Sequence, residues 1–335
     1  MKPSAPPWWY AKQSIWPTLL TPAALLWDAV TRARWALTKP YRSKVPVICI
    51  GNFTAGGAGK TPVAIAIAHI LLSAGESPIF LSRGYGGTVK EAHLVYPSLD
   101  KAQTVGDEPL LLAQVAPTIV TADRAEGATL AERQGASVII MDDGFQNPGL
   151  IKSLSFIVID GELGLGNEHV IPAGPLRANL GSQLARADGF IQVGKGKAEE
   201  RISSLAQEAS LPILRAEIVP DREFAWLKNK PVVVFAGIGN PEKFFRLVEN
   251  LGGKIAARFP FRDHHNYTRQ DALKLLDTAA RMDATLVTTQ KDLVRIEGVG
   301  ELQKLKAAAR ALPVSIQFND MGKMTQMLAQ TLKSS

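Results

Sequence analysis

The chain has 335 residues, 46% of them hydrophobic and 21% charged, which is enough for two cores and excludes a disordered or collagen-like chain. A single cysteine, Cys49, excludes a disulfide framework and a Cys-based metal cluster, and its place in an apolar run reads as a small buried residue of a reducing compartment. The net charge of +7 is concentrated at the N-terminus, where residues 1–44 carry Lys2, Lys12, Arg32, Arg34, Lys39, Arg42 and Lys44 against the one acid Asp28, so nucleic-acid binding by the body of the protein is not expected.

The same segment holds Trp8, Trp9, Trp16, Trp27 and Trp35, five of the six tryptophans. Leu19, Ala23, Leu26, Val30, Ala33 and Leu37 recur along one stripe of an amphipathic helix. Tryptophan favours the headgroup zone and Lys/Arg attract anionic lipid, so residues 1–44 read as a membrane-surface anchor. A helix packed on its own domain is the competing reading. A bilayer span is disfavoured, because the longest charge-free stretch, Gln13–Trp27, is short of about 20 residues and is interrupted by Pro17 and Pro22.

Val45–Ile50 reads as a buried strand and Val63–Leu72 as a helix. Between them lies Gly51-Asn-Phe-Thr-Ala-Gly-Gly-Ala-Gly-Lys-Thr-Pro62. Strand, glycine-rich turn, Lys-Thr and helix form a phosphate-binding loop, whose backbone N–H groups and helix N-terminus favour anions. Thr54, Ala55, Gly56, Gly57, Ala58, Gly59, Lys60 and Thr61 would hold the nucleotide, Lys60 reaching the terminal phosphates and Thr61 a magnesium ion. Thr54 stands where the strict motif has glycine.

Further apolar strands follow at Ser77–Leu81, Thr118–Thr121, Ser137–Met141, Ser155–Ile159 and Gly189–Val193, alternating with helices at Leu110–Gln114 and Ala125–Gln134. This alternation predicts a mostly parallel α/β sheet with helices on both faces, over residues 45–210. Strands at Pro212–Val219, Pro231–Ala236, Lys254–Phe259, Thr285–Thr289 and Val314–Phe318, with helices at Pro241–Leu251 and Arg269–Met282, predict a second, smaller α/β domain over residues 211–335.

Chemistry-bearing residues cluster at the predicted strand exits. Asp142-Asp143 ends an apolar strand, the usual place of a Walker B acid, and two adjacent carboxylates repel unless a cation neutralises them; a turn role is the alternative. Asp107-Glu108 opens a helix, where acids also serve the helix dipole. Asp263-His264-His265 could ligate a metal, orient a base or cap the next helix. Arg83, Arg124 and Arg177 could clamp phosphate oxygens or form surface ion pairs.

In order along the chain, Gly51-Asn52, Gly56-Gly-Ala-Gly-Lys-Thr-Pro62, Ser82-Arg-Gly-Tyr-Gly86, Gly106-Asp-Glu-Pro109, Asp142-Asp-Gly-Phe-Gln146, Pro172-Ala-Gly-Pro-Leu-Arg177, Asp263-His264, Val287-Thr-Thr289 and Lys291-Asp292 resemble the tetraacyldisaccharide 4'-kinase family, including its form of the loop at Thr54. The resemblance implies a P-loop NTPase-type fold and ATP- and Mg²⁺-dependent phosphorylation of the 4'-hydroxyl of lipid A disaccharide 1-phosphate, giving lipid IVA. It implies a peripheral position on the cytoplasmic face of the bacterial inner membrane, with the acylated disaccharide and an anionic membrane surface as partners and no obligate protein partner. It implies Asp107 as the base, tuned or oriented by His264 (with His265 as the alternative), Mg²⁺ on Thr61 and Asp142/Asp143, and transition-state charge on Lys60, Arg124 and Arg177. Asn52, Arg83, Tyr85, Glu108, Gln146 and Asn147 would complete the polar shell. Asn147 stands where the family has histidine and cannot titrate near neutral pH. A nucleotide-switch or metal-trafficking P-loop ATPase or GTPase is the runner-up; Thr54-Ala55-Gly56 lacks that group's extra lysine, and Thr289-Gln-Lys-Asp292 only partly echoes a guanine-reading motif.

Overall fold

A computed structural model describes residues 5–11, 13–221 and 224–333. Lys2 and Lys12 of the basic segment lie outside the described residues. Nine strands form the larger sheet, in the spatial order Val314–Phe318, Ile213–Pro220, Gly189–Val193, Leu154–Asp160, Val47–Gly51, Val138–Asp142, Pro78–Ser82, Thr118–Val120 and His93–Leu94. Only the two outermost strands run antiparallel to their neighbours. The central Val47–Gly51 strand is buried on both faces, and its residues alternate between two cores. Ile48 and Ile50 pack with Ile67, Phe80 and Ile191 on one face. Val47 and Cys49 pack with Leu81, Ile139 and Phe190 on the other. Burial on both faces is why these strands read as continuous apolar runs rather than as alternating ones.

The second sheet orders Lys254–Pro260, Pro231–Ala236, Thr285–Thr288 and Arg310–Ala311, all parallel, with its own pair of cores. The span expected from residue 211 onward is therefore divided. Ile213–Pro220 and Val314–Phe318 pair with each other on the edge of the larger sheet, and Met324 and Leu328 of the final helix, Met321–Lys333, pack against that sheet's core. Residues between about 221 and 313 form the smaller layer as an excursion from the larger one. Pairing between strands nearly a hundred residues apart leaves no local pattern in the sequence.

The helix Trp16–Leu37 forms as its spacing predicts, but its polarity is reversed relative to an ordinary surface helix. Ala24 and Asp28 are buried against the body, Asp28 accepting from the Asn179 N–H at 2.8 Å and Trp27 Nε1 donating to the Arg177 carbonyl at 3.0 Å. Leu19, Leu26, Val30 and Leu37 face outward, at 62, 68, 61 and 86% exposure. Among the described residues no helix is long and apolar enough to cross a membrane.

Candidate active site

The phosphate loop leaves the central strand where its neighbours lie on opposite sides, the position in an open α/β sheet at which a crevice opens beyond the strand ends. Asn52 is buried and donates its amide to the Gly56 carbonyl at 3.2 Å, tying the loop into a closed turn, while its own carbonyl accepts from Gln146 at 2.7 Å. Gly56 (φ +119°) and Gly59 (φ +87°) take conformations that favour glycine, and the helix Lys60–Ser73 starts at once. Residues 55 to 61 line a cleft of about 2830 Å³ between the two sheets. Thr54 lies behind it, its carbonyl accepting from Arg177 Nε at 3.0 Å. The Lys60 ammonium is 3.4 Å from the Gly56 carbonyl and 3.7 Å from Asp143, so within the described residues it is held at the loop by weak contacts.

Asp142 and Asp143 stand beside the loop in different electrostatic settings. Thr61 Oγ1 donates to Asp142 Oδ2 at 3.1 Å, whereas Asp142 Oδ1 is buried with no hydrogen-bond partner among the described residues. Burial, then the Glu108 and Asp143 charges, push the Asp142 carboxyl up to about 7 against the opposing pull of Lys60 and Thr61. Asp143 sits at φ +50° and is clasped by Arg177 through two contacts of 3.0 and 3.2 Å. Burial would raise this carboxyl too, but Lys60 and Arg177 hold it below the ordinary range. An orphaned carboxylate oxygen beside a hydroxyl suits a hard divalent cation. Among the described residues no cluster of three or more His, Cys, Asp or Glu could cage a metal alone.

Across the cleft, the second layer reaches Asp107. His264 Nδ1 lies 3.1 Å from Asp107 Oδ2, and the Arg295 guanidinium closes on the same oxygen. Oδ1 accepts the Glu108 N–H at 2.9 Å, so both oxygens are engaged. Burial would raise the Asp107 carboxyl, but the His264 hydrogen bond and the Lys291 and Arg295 charges hold it well below the ordinary carboxylate range. Lys291 pairs with Glu108, and those two acids together overcome burial and raise its ammonium. His264 has a left-handed backbone, φ +56°, fixed by its N–H to the Gly237 carbonyl at 3.1 Å, and its ring lies 5.2 Å from that of Tyr85. His264, Tyr85 and Glu108 line the cleft. His265 is used elsewhere: it stacks on Phe261 at 4.5 Å and bonds Asp271 at 3.0 Å.

Other expected residues are distributed unevenly. Arg177 and Gln146 line the cleft and bond each other at 3.2 Å. Arg124 is buried, its Nη1 donating to the Ser82 and Thr121 carbonyls, and it does not line the cleft; Arg83 is exposed. Arg124 lies close enough to Asp142 and Asp143 to feel their charges, though burial and Arg83 lower it to about 10. Asn147 turns its amide oxygen to the Gly149 N–H at 2.8 Å, a local turn contact rather than one across the cleft.

The sequence pattern predicts a strand at 285–289 and no helix directly after it, so Arg295 is not among the residues it singles out. Residues 290–295 are a helix capped by Thr289, packed on the helix Asp107–Leu112. The available signal was Thr289 followed three residues later by Asp292, which sets Lys291 and Arg295 four apart on one face.

A family model described as tetraacyldisaccharide-1-P 4'-kinase matches residues 16–333. A curated tetraacyldisaccharide 4'-kinase of Rhodospirillum centenum is 46% identical over 98% of this chain and 96% of its own length. One of Bradyrhizobium sp. is 45% identical over 98% of this chain and 96% of its own. The crystal structure of Aquifex aeolicus LpxK in complex with ATP superposes with a TM-score of 0.74 at 24% identity, over 94% of this chain and 99% of that one. With the P-loop α/β sheet and the cleft between its layers in place, the chain belongs to the tetraacyldisaccharide 4'-kinase family and is an ATP-dependent kinase of lipid A biosynthesis.

Proposed function

We propose that the cleft transfers the γ-phosphoryl group of ATP to the 4'-hydroxyl of tetraacyldisaccharide 1-phosphate, with the proton taken by His264 Nε2. The amides of residues 55–61 and Lys60 hold the triphosphate, and Arg177 supplies positive charge beside it. Thr61 and the Asp142/Asp143 pair would hold Mg²⁺, which when bound would neutralise phosphate charge. As the sugar oxygen bonds to phosphorus and the bond to ADP breaks, its proton needs an acceptor at the cleft wall. Asp107, the base implied by family resemblance, fits that task less well: it is buried, does not line the cleft, and has both oxygens engaged. His264 does line it. Asp107 then orients the imidazole through Nδ1 and stabilises its charged form, as in other carboxylate–histidine pairs. Arg124, buried beneath the acids, supports their field rather than touching phosphate.

The 3.1 Å contact between Asp107 and His264, joining a phosphate-loop layer to the second layer, is the observation that carries this assignment. Transfer of labelled γ-phosphate to the purified disaccharide lipid tests it. His264→Ala and Asp107→Ala should retain nucleotide binding and lose most transfer, and a small imidazole added to the assay should partly restore only His264→Ala. Restoration of neither variant, with His264→Ala still turning over at wild-type rate, would return the proton to Asp107.

The outward apolar stripe of Trp16–Leu37 supports a peripheral position on the cytoplasmic face of the inner membrane, beside a substrate whose acyl chains stay in the bilayer. Each of Leu19, Leu26, Val30 and Leu37 would contribute about 1–2 kcal/mol on burial in lipid.

A further inference from the structure

Near the C-terminal end of the Trp16–Leu37 helix, two cations meet over one indole. Arg186 places its guanidinium carbon 3.9 Å from the Trp35 ring centroid, and Lys152 places its ammonium 5.2 Å from the same ring. Lys152 also donates to the Asn147 and Leu150 carbonyls. Arg186 is half-buried and also faces Phe145 at 5.7 Å, and its Nε is buried without a hydrogen-bond partner among the described residues. No carboxylate of the described residues forms an ion pair with either cation. Burial lowers both, and neither feels a carboxylate that would raise it. Arg295 and Lys291, by contrast, are paired with carboxylates, Arg295 with Asp107 and Asp292 and Lys291 with Glu108, while the buried Arg124 is held by the Ser82 and Thr121 carbonyls. A guanidinium held over an aromatic face with no carboxylate partner keeps its charge available to a planar or tetrahedral oxyanion. Trp35 is shared with the cleft wall, whereas Arg186 and Lys152 do not line the cleft, so this pair lies outside the phosphate-transfer site.

We propose that Arg186, seated on Trp35 beside Lys152, is a site for the phosphate of an anionic phospholipid headgroup, distinct from the catalytic cleft. The proposal rests on the peripheral membrane position above. The helix stripe enters the acyl region without regard to headgroup, and Arg186 adds a preference for anionic lipid at a fixed point of the helix. The enzyme would thereby be held with its cleft mouth at the membrane surface.

Partition of the full chain onto vesicles separates the two layers of this reading. Phosphatidylcholine vesicles are compared with vesicles containing about 30% phosphatidylglycerol at about 0.15 M salt, where diffuse attraction is confined to charges within about 8 Å of the surface. Wild type, Arg186→Gln, Arg186→Lys and Lys39→Gln are measured. All four should bind neutral vesicles alike, through the stripe. On anionic vesicles Lys39→Gln, an exposed cation of the same helix end, should lose about fivefold, the effect of one surface charge. Arg186→Gln should lose roughly 20-fold or more, the effect of a charge-assisted hydrogen-bonded contact, with Arg186→Lys between them. Turnover of substrate in neutral detergent micelles should stay within about twofold for each variant, a shift too small to signal loss of transition-state contacts. Equal losses for Arg186→Gln and Lys39→Gln would overturn the site in favour of diffuse attraction. A raised KM for the lipid acceptor in neutral micelles would overturn it in favour of the acceptor's own phosphate. Failure of wild type to bind either vesicle would instead remove the membrane position itself.

Discussion

Asp142→Asn separates the structural cost of the acidic pair from its use. In the metal-free protein Asp142 carries one oxygen with no partner and a carboxyl raised from 3.8 to about 7, by burial first and then by Glu108 and Asp143. A folded-state value above the unfolded one means that the folded chain binds the extra proton. Stability from this group is thus complete below pH about 4 and falls as pH rises through about 7. A displacement of this size corresponds to on the order of 4 kcal/mol at full ionisation. Asparagine keeps an acceptor for Thr61 but leaves a buried amide edge unmatched, which costs about 1–2 kcal/mol. At pH 8, without metal or nucleotide, Asp142→Asn should therefore be more stable than wild type by roughly 2 kcal/mol, a rise of about 4–8 °C in the melting temperature of the layer that contains it. At pH 5 the advantage should vanish. Mg²⁺ with ATP should raise the wild-type midpoint at pH 8 much more than that of the variant. Thermal unfolding at the two pH values, with and without Mg²⁺ and ATP, reads all of this. An asparagine variant that melts at or below wild type at pH 8 without metal would refute the idea that Asp142 is an uncompensated carboxylate.

Four further outcomes follow from named contacts. His264→Ala and Asp107→Asn should each lower kcat by about 10²–10⁴, with little change in KM for ATP, in steady-state transfer assays. Arg295→Gln leaves Asp107 and Asp292 short of a buried cation and should cost about 3–5 kcal/mol in urea unfolding near neutral pH. Because Asp107 is held below its ordinary value, the stability it contributes is present above pH about 4 and is lost as pH falls further; Asp107→Asn should flatten that acid limb. Leu26→Ser with Val30→Ser should weaken binding to neutral vesicles by at least about tenfold while leaving the melting temperature within a degree or two, since both side chains are already in water.

Much of this protein was legible in its sequence because the signals are local. The phosphate loop needs its glycines, lysine and threonine at fixed spacing on one turn between a strand and a helix. The apolar runs at 45–50, 137–141 and 155–159 read as strands, and strands form at Val47–Gly51, Val138–Asp142 and Leu154–Asp160, because both faces of a parallel sheet exclude water. The apolar spacing of residues 19–37 likewise predicts a helix, and one forms at Trp16–Leu37. Tertiary structure decided what depends on contacts between distant residues. It returned Val314–Phe318 to the larger sheet, brought His264 rather than His265 to Asp107, and set Arg295 behind that acid. It buried Arg124 against the Ser82 and Thr121 carbonyls and gave Asn147 a loop contact with Gly149. It also faced the leucines of the first helix outward, by docking the Asp28 side on Asn179. Periodicity identifies a helix's stripe, but which way the stripe points depends on whether neighbouring surfaces offer partners for its polar side, and only the packed chain contains those neighbours.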